Sequence, residues 1–244
     1  MTSLHAVLTP LDPGSQSGPV GLAIAGLLRD RIVTNQLQPG QALAESEVAT
    51  LLGVSRQPVR EALIRLSEGG LVRILPQRGT LVTRISLSGV EGGRFVRDAV
   101  ERAVVRRAAE VAPPGATAAM HRIIDAQEAA LRAENHSGFL ALDDALHGAL
   151  AAAMGHPGAW AALGEVKLQM DRVRYLSIPD ATPSPLLIAQ HRAIVEAIAR
   201  RNADAAEAAM RLHLSEVLAA LPKLTARFPD HFEKSLPAEA RGAA

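Results

Sequence analysis

Gly53 divides two short amphipathic runs, Glu45 to Leu52 and Ser55 to Glu68, and their spacing leaves few ways to pack them. Apolar residues recur at helical intervals in both, so each reads as a helix with one inward face. Two helices crossing this closely need a small residue where they touch and a residue tolerant of positive φ at the turn. Ala49 and Gly53 supply these. Val48, Leu52, Val54, Val59 and Ala62 then form the shared inward face. Ser55, Arg56, Gln57 and Arg60 lie outward near the start of the second helix, where a helix-turn-helix reaches base edges in the major groove. Ser55 is placed to cap that helix, Pro58 sits in its first turn, where a missing N–H costs least, and Gly69-Gly70 ends it.

The flanking segments extend this plan. Leu22 to Leu37 reads as a preceding helix that stops before Pro39-Gly40. Leu71 to Leu75 and Thr80 to Thr83 are short β-type runs separated by Pro76-Gln77-Arg78-Gly79, a hairpin pattern. Three helices and a hairpin give a winged helix-turn-helix over residues 20–85. Residues 1–19, rich in proline, glycine and small polar residues, are expected to form a disordered leader.

From Ser88 onward the sequence is rich in Ala and Leu with helical periodicity. It is broken at Pro113 to Gly115, Asn135 to Gly138, Gly155 to Gly158, Ile178 to Pro185 and Arg201 to Ala203, which leaves about six helices. With one Trp, one Tyr and four Phe in 244 residues, the core must be aliphatic, which suits an antiparallel all-α bundle over residues 86–222. Residues 223–244 read as a C-terminal tail. The fold class is therefore mainly α, a winged helix-turn-helix followed by a helical bundle.

Charge follows the same division. Residues 20–85 hold eight arginines against five acidic residues, whereas residues 86–222 hold 14 basic against 16 acidic residues. A mildly basic head on a mildly acidic body fits DNA binding by the first. No run approaches the roughly 18 to 20 apolar residues needed to cross a bilayer, and the first residues lack a signal-peptide pattern, so a cytoplasmic protein with no membrane partner is expected. The sequence has no cysteine, so thiolate chemistry is excluded and any metal must be held by His, Asp or Glu.

Asp143 and His147 are four apart in a helical stretch and share one face. His191 and His213 fall in two further helices, so three helices converging on a bundle interior would bring the four together. One carboxylate and three imidazoles suit a divalent transition metal, zinc first and then nickel, manganese or iron, rather than calcium or magnesium. Taken one at a time, each histidine reads as an ordinary hydrogen-bonded core or surface residue.

The run Leu51-Leu-Gly-Val-Ser-Arg-Gln-Pro-Val-Arg-Glu-Ala-Leu63, with Gly70-Leu-Val72 and Arg78-Gly79 behind it, resembles the GntR family of bacterial transcription regulators. The segments Phe139 to Leu150, Gln190 to Ile198 and Ala209 to Leu214 resemble the FCD ligand-binding domain of its FadR subfamily, and a six-helix count lies nearer the VanR-type branch. The resemblance covers approximately residues 20–222. It implies that Arg56 and Arg60 meet guanine edges or phosphates, helped by Ser55 and Gln57, while Arg78-Gly79 approaches the minor groove. Ser46 stands where some FadR-like members carry a DNA-contacting arginine. The resemblance also implies that Asp143, His147, His191 and His213 are metal ligands. A small carboxylate effector would complete the metal shell, neutralised by an arginine: Arg97 first, within Phe95 to Glu101, and Arg172 or Arg174 second.

The expected protein is thus a ligand-responsive repressor that is not an enzyme and has no catalytic residues. It would bind a palindromic double-stranded DNA operator as a homodimer, and the linker Arg84 to Gly89 would carry the effector's signal. Two other readings are a regulator whose metal is purely structural and a metal-dependent hydrolase using Asp144 as base. Against the latter, Asp144 points about 100° away from Asp143 on a helix.

Overall fold

The computed structural model describes residues 3–10, 18–178 and 184–233. The chain divides into two compact units. Among the described residues, one gathers 3–10, 18–32, 36–88 and 225–233; the other comprises 33–35, 89–178 and 184–224.

The first unit contains α1 (Leu4–Val7), α2 (Val20–Val33), β1 (Ala42–Leu43), α3 (Glu45–Leu52), α4 (Arg56–Glu68), β2 (Val72–Leu75) and β3 (Gly79–Val82). Gly53 takes φ 68° as the turn between α3 and α4 requires, and Val48, Ala49, Leu52, Val59 and Ala62 are buried. Helix α2 ends sooner than Leu37. Asn35 enters the left-handed region at φ 58°, and the Leu37 N–H donates to the Arg31 carbonyl at 2.9 Å, so Leu37 reaches the core from a turn. The sheet has the order β1-β3-β2, with both pairs antiparallel. Strand β1 has only two residues, Ala42 opposite Leu81 and Leu43 opposite Thr80. That is too short to show alternation, so its partner defines it.

Both ends of the chain depart from expectation. Within the supposed leader, Leu4, Val7 and Leu8 are buried around α1. They lie at positions i, i+3 and i+4 and share one helical face, but a single turn gives too little period to detect. The supposed tail is in part structural. After a 3-10 turn at Pro229–His231, the Ile85 N–H donates to the His231 carbonyl at 2.7 Å and the Glu233 N–H donates to the Ile85 carbonyl at 3.0 Å. Arg84 Nε donates to the Asp230 carbonyl at 3.0 Å, and Phe232 is buried. The expected linker at Arg84 and Ile85 is therefore pinned by residues 230–233.

The second unit contains α5 (Leu87–Val111), α6 (Ala116–Arg132), α7 (His136–Ala153), α8 (Gly158–Ala161), α9 (Leu168–Ser177), α10 (Ser184–Ala199) and α11 (Ala203–Arg227). Six are long and α8 is a single turn. The break expected at Asn135 to Gly138 narrows to a cap, because Asn135 Oδ1 accepts from the Gly138 N–H at 2.9 Å and α7 starts at once. Helix α11 runs through Pro222 and past the expected end at Leu221; a single missing N–H there leaves the rest of the ladder intact. The core is aliphatic, built around Val105, Ile124, Leu146, Leu150, Val195, Ile198 and Met210, with Phe139 its one fully buried aromatic. Gly93 lets α5 approach the turn before α9: a Cβ there would sit 2.6 Å from the Val166 carbonyl oxygen.

Candidate functional site

Asp143 and His147 come from one face of α7, His191 from α10 and His213 from α11, and all four are buried. One ligand atom from each lies within 4.8 Å of the others. Asp143 Oδ1 is 3.3 Å from His191 Nε2, and Oδ2 is 3.6 Å from His147 Nε2. Four donors at such separations can surround one ion, and one carboxylate with three imidazoles is the chemistry of a transition-metal centre.

The electrostatics keep these donors ready. Burial depresses the His213 imidazole well below its usual range, and the fields of His191 and His147 add to this. Burial also lowers His191, against the opposing pull of the Asp143 carboxylate 3.3 Å from its Nε2. Both rings are then neutral near pH 7, as ligation requires. Burial alone would raise the Asp143 carboxyl, but the charge of Arg174, and after it the neighbouring His191 and His147 rings, hold it well below the carboxylate range. Glu101 follows the same logic: Arg97 and then His147 outweigh burial and keep it ionised.

Arg97 on α5 is buried, pairs with Glu101 and places an Nη2 3.4 Å from His147 Nε2. Arg174 on α9 pairs with Asp143, and also with Asp171 at 3.0 Å and Asp144 at 3.5 Å. Both arginines line a cavity of about 40 Å³ that also touches Asp143 and His213 and is otherwise walled largely by apolar side chains such as Phe139, Met170 and Leu214. Arg172, two residues from Arg174, falls on the opposite face of α9 and is not among the lining residues. Asp144 reaches Lys167 at 3.1 Å as well as Arg174, so it faces cations rather than the imidazoles.

Four residues here were not singled out from sequence. Glu101 lies against Nδ1 of His147, Gln127 accepts from His191 and Gln190 from His213, and Trp160 stacks on His147 with ring centroids 5.0 Å apart. Gln127 alone left a readable signal, an amide on the same α6 stripe as Met120 and Ile124. Trp160 also carries the Arg97 guanidinium 5.3 Å above its ring.

In the first unit, Ser55 is the N-cap residue of α4, and Arg56 and Arg60 are exposed along its first turns. Glu45, at the start of α3, accepts from Arg60 Nε at 3.1 Å and Nη2 at 3.2 Å and lies 3.5 Å from Arg56. Gln57 donates to Glu61 at 3.0 Å. Arg78 and Gly79 form the wing turn, with Gly79 at φ 87°. The sequence positions of these groups were legible, whereas the anchoring of Arg60 by Glu45, fifteen residues earlier, was not.

A winged helix-turn-helix joined to a helical unit with a buried polar centre defines a DNA-binding transcription regulator. The chain belongs to the GntR family: residues 21–82 match the bacterial regulatory proteins of the gntR family and residues 94–216 match the FCD domain. It is 37% identical over 228 residues to the HTH-type transcriptional repressor RspR of Escherichia coli (strain K12), covering 93% of this chain and 99% of that protein. It is 29% identical to the HTH-type transcriptional repressor NanR of Cronobacter sakazakii, covering 79% of this chain and 81% of that protein. Its fold resembles the solved structure of E. coli McbR/YncC, with TM-score 0.72 and 18% identity over 84% of this chain and 97% of that one. The family is one of transcription regulators and not of enzymes. Among the described residues no helix is long and apolar enough to cross a membrane.

Proposed function

We propose that the protein is a cytoplasmic, homodimeric repressor that binds a palindromic operator and responds to a small carboxylic acid at a metal centre held by Asp143, His147, His191 and His213. One observation carries this reading: four buried donors converge beside a cavity that two arginines line. The donors suit zinc first, with nickel, manganese or iron as alternatives. When bound, such an ion supplies a Lewis-acidic point for an anionic oxygen. Arg97 is the first candidate to pair with the effector's carboxylate, because a guanidinium matches a carboxylate in a two-pronged way, and Arg174 is the second. In the DNA-binding unit, Arg56 and Arg60 read base edges with Ser55 and Gln57 beside them, and Arg78-Gly79 approaches the minor groove. Effector binding then alters the presentation of the two DNA-binding heads across the dimer through the segment Arg84 to Gly89. A coupling of about 1–3 kcal/mol suffices for regulation.

The test is a thermal-shift screen of metal-loaded and chelated protein against short-chain, hydroxy, sugar and dicarboxylic acids, followed by operator binding with each hit. The expected result is a metal-dependent shift for one class of acid and a changed operator affinity. If metal stabilises the protein but no acid moves either readout, the centre is structural and the sensing assignment falls. Turnover of an acid that chelation abolishes would instead make this an enzyme.

A further inference from the structure

Each of the three clustered imidazoles has an oxygen beside Nδ1, an amide in hydrogen-bond contact at His191 and His213 and the Glu101 carboxylate in ion-pair contact at His147, and each oxygen comes from a different helix. Glu101 on α5 lies against Nδ1 of His147. Gln127 Oε1 on α6 is 2.9 Å from Nδ1 of His191, and Gln190 Oε1 on α10 is 3.3 Å from Nδ1 of His213. We propose that Glu101, Gln127 and Gln190 are positioning residues for the metal centre: each fixes the hydrogen of one imidazole on Nδ1 and so presents the Nε2 lone pair to a common point. The proposal rests on the metal reading above and extends it to residues that touch no metal.

Two details of packing favour this role over ordinary core polarity. Gln190 Nε2 donates to Glu216 Oε1 at 2.8 Å. A carboxylate only accepts, so this contact orients the amide with its oxygen toward His213. Gln127 is fully buried and its Nε2 makes no hydrogen bond with any described group, so half of the amide is kept inside the core at a cost. A leucine would fill that place without the penalty; what the glutamine adds is its oxygen on His191. A neutral imidazole binds metal through one nitrogen while the other donates, and the donating side fixes both tautomer and ring orientation. Three rings oriented in this way from separate helices form a preorganised site. Glu216 also lines the cavity beside the centre, so the groups that orient His213 extend to the place where an effector would sit.

The experiment uses the full-length protein stripped of metal and titrated with Co²⁺, with affinity read by competition against a chromophoric chelator and geometry read from the visible d–d bands. Gln127→Leu and Gln190→Leu are expected to lose about tenfold to a hundredfold in Co²⁺ affinity and to change the band pattern. Gln127→Glu keeps an acceptor and is expected to return toward wild-type affinity and spectrum. Circular dichroism and melting of the metal-free variants check the fold, because Gln127→Leu removes one unpaired amide but leaves His191 Nδ1 without its acceptor. Leucine variants that bind Co²⁺ with wild-type affinity and spectrum overturn the positioning role. A wild-type protein that binds no Co²⁺ overturns the metal reading itself, a distinct result.

Discussion

Replacing Asp143 by asparagine keeps the shape of the side chain and removes one buried charge. The carboxylate pairs with Arg174 and touches two imidazoles, and both partners of the ion pair are largely shielded from water. Removing one member of a buried pair costs about 3–5 kcal/mol, because the other is left uncompensated. Arg174 keeps Asp171 at 3.0 Å and Asp144 at 3.5 Å, which places this variant at the low end. A loss of about 3 kcal/mol corresponds to a fall of about 6–12 °C in the melting temperature of a domain of 150 to 250 residues. Scanning calorimetry of chelated protein at pH 7 measures it. Metal sharpens the test. On the proposed metal reading, wild-type protein at a hundredfold excess of Zn²⁺ over Kd should gain about 2.7 kcal/mol, and the variant, with one of four donors weakened, far less. A chelated variant that melts within about 2 °C of wild type, or above it, refutes the view that Asp143 is held ionised by Arg174.

His191 and His213 have folded-state pKa values below the unfolded value of 6.5, so the unfolded chain takes up protons first. Chelated protein should therefore be insensitive to these groups above about pH 6.5 and lose stability as pH falls below it, and His213→Leu should flatten that slope in melting-temperature profiles. Arg60→Ala should cost about 1–3 kcal/mol in operator binding, measured by fluorescence anisotropy at fixed salt; unchanged affinity removes Arg60 from base reading. Phe232→Ala should destabilise the winged-helix unit by about 3–5 kcal/mol, whereas residues 223–244 acting as a free tail would leave urea midpoints unmoved.

Much of this molecule is written in local pattern. Gly53 at a tight turn, Ala49 at a helix crossing and the Arg56 and Arg60 pair on an outward face identify the DNA-binding head, because each depends on neighbours within a turn or two of helix. The i, i+4 pair Asp143 and His147 is equally local. The short β1 was not legible: two residues become a strand only because β3 lies beside them. Phe232 and Ile85 pair across well over a hundred residues, and no periodicity announces such a contact.

The sequence by itself determined which side chains are available: an aliphatic helical body, no thiol, one carboxylate and three imidazoles on helical faces, and arginines at the start of a recognition helix. The tertiary structure decided which of them meet. It put Arg174 on Asp143 and turned Arg172 away, it gave each imidazole an acceptor from another helix, and it folded residues 230–233 back onto Ile85. The physical reason is range. Helix and turn preferences act over a few residues and can be read along the chain, whereas burial and hydrogen-bond satisfaction are settled between distant segments once the chain has closed around them.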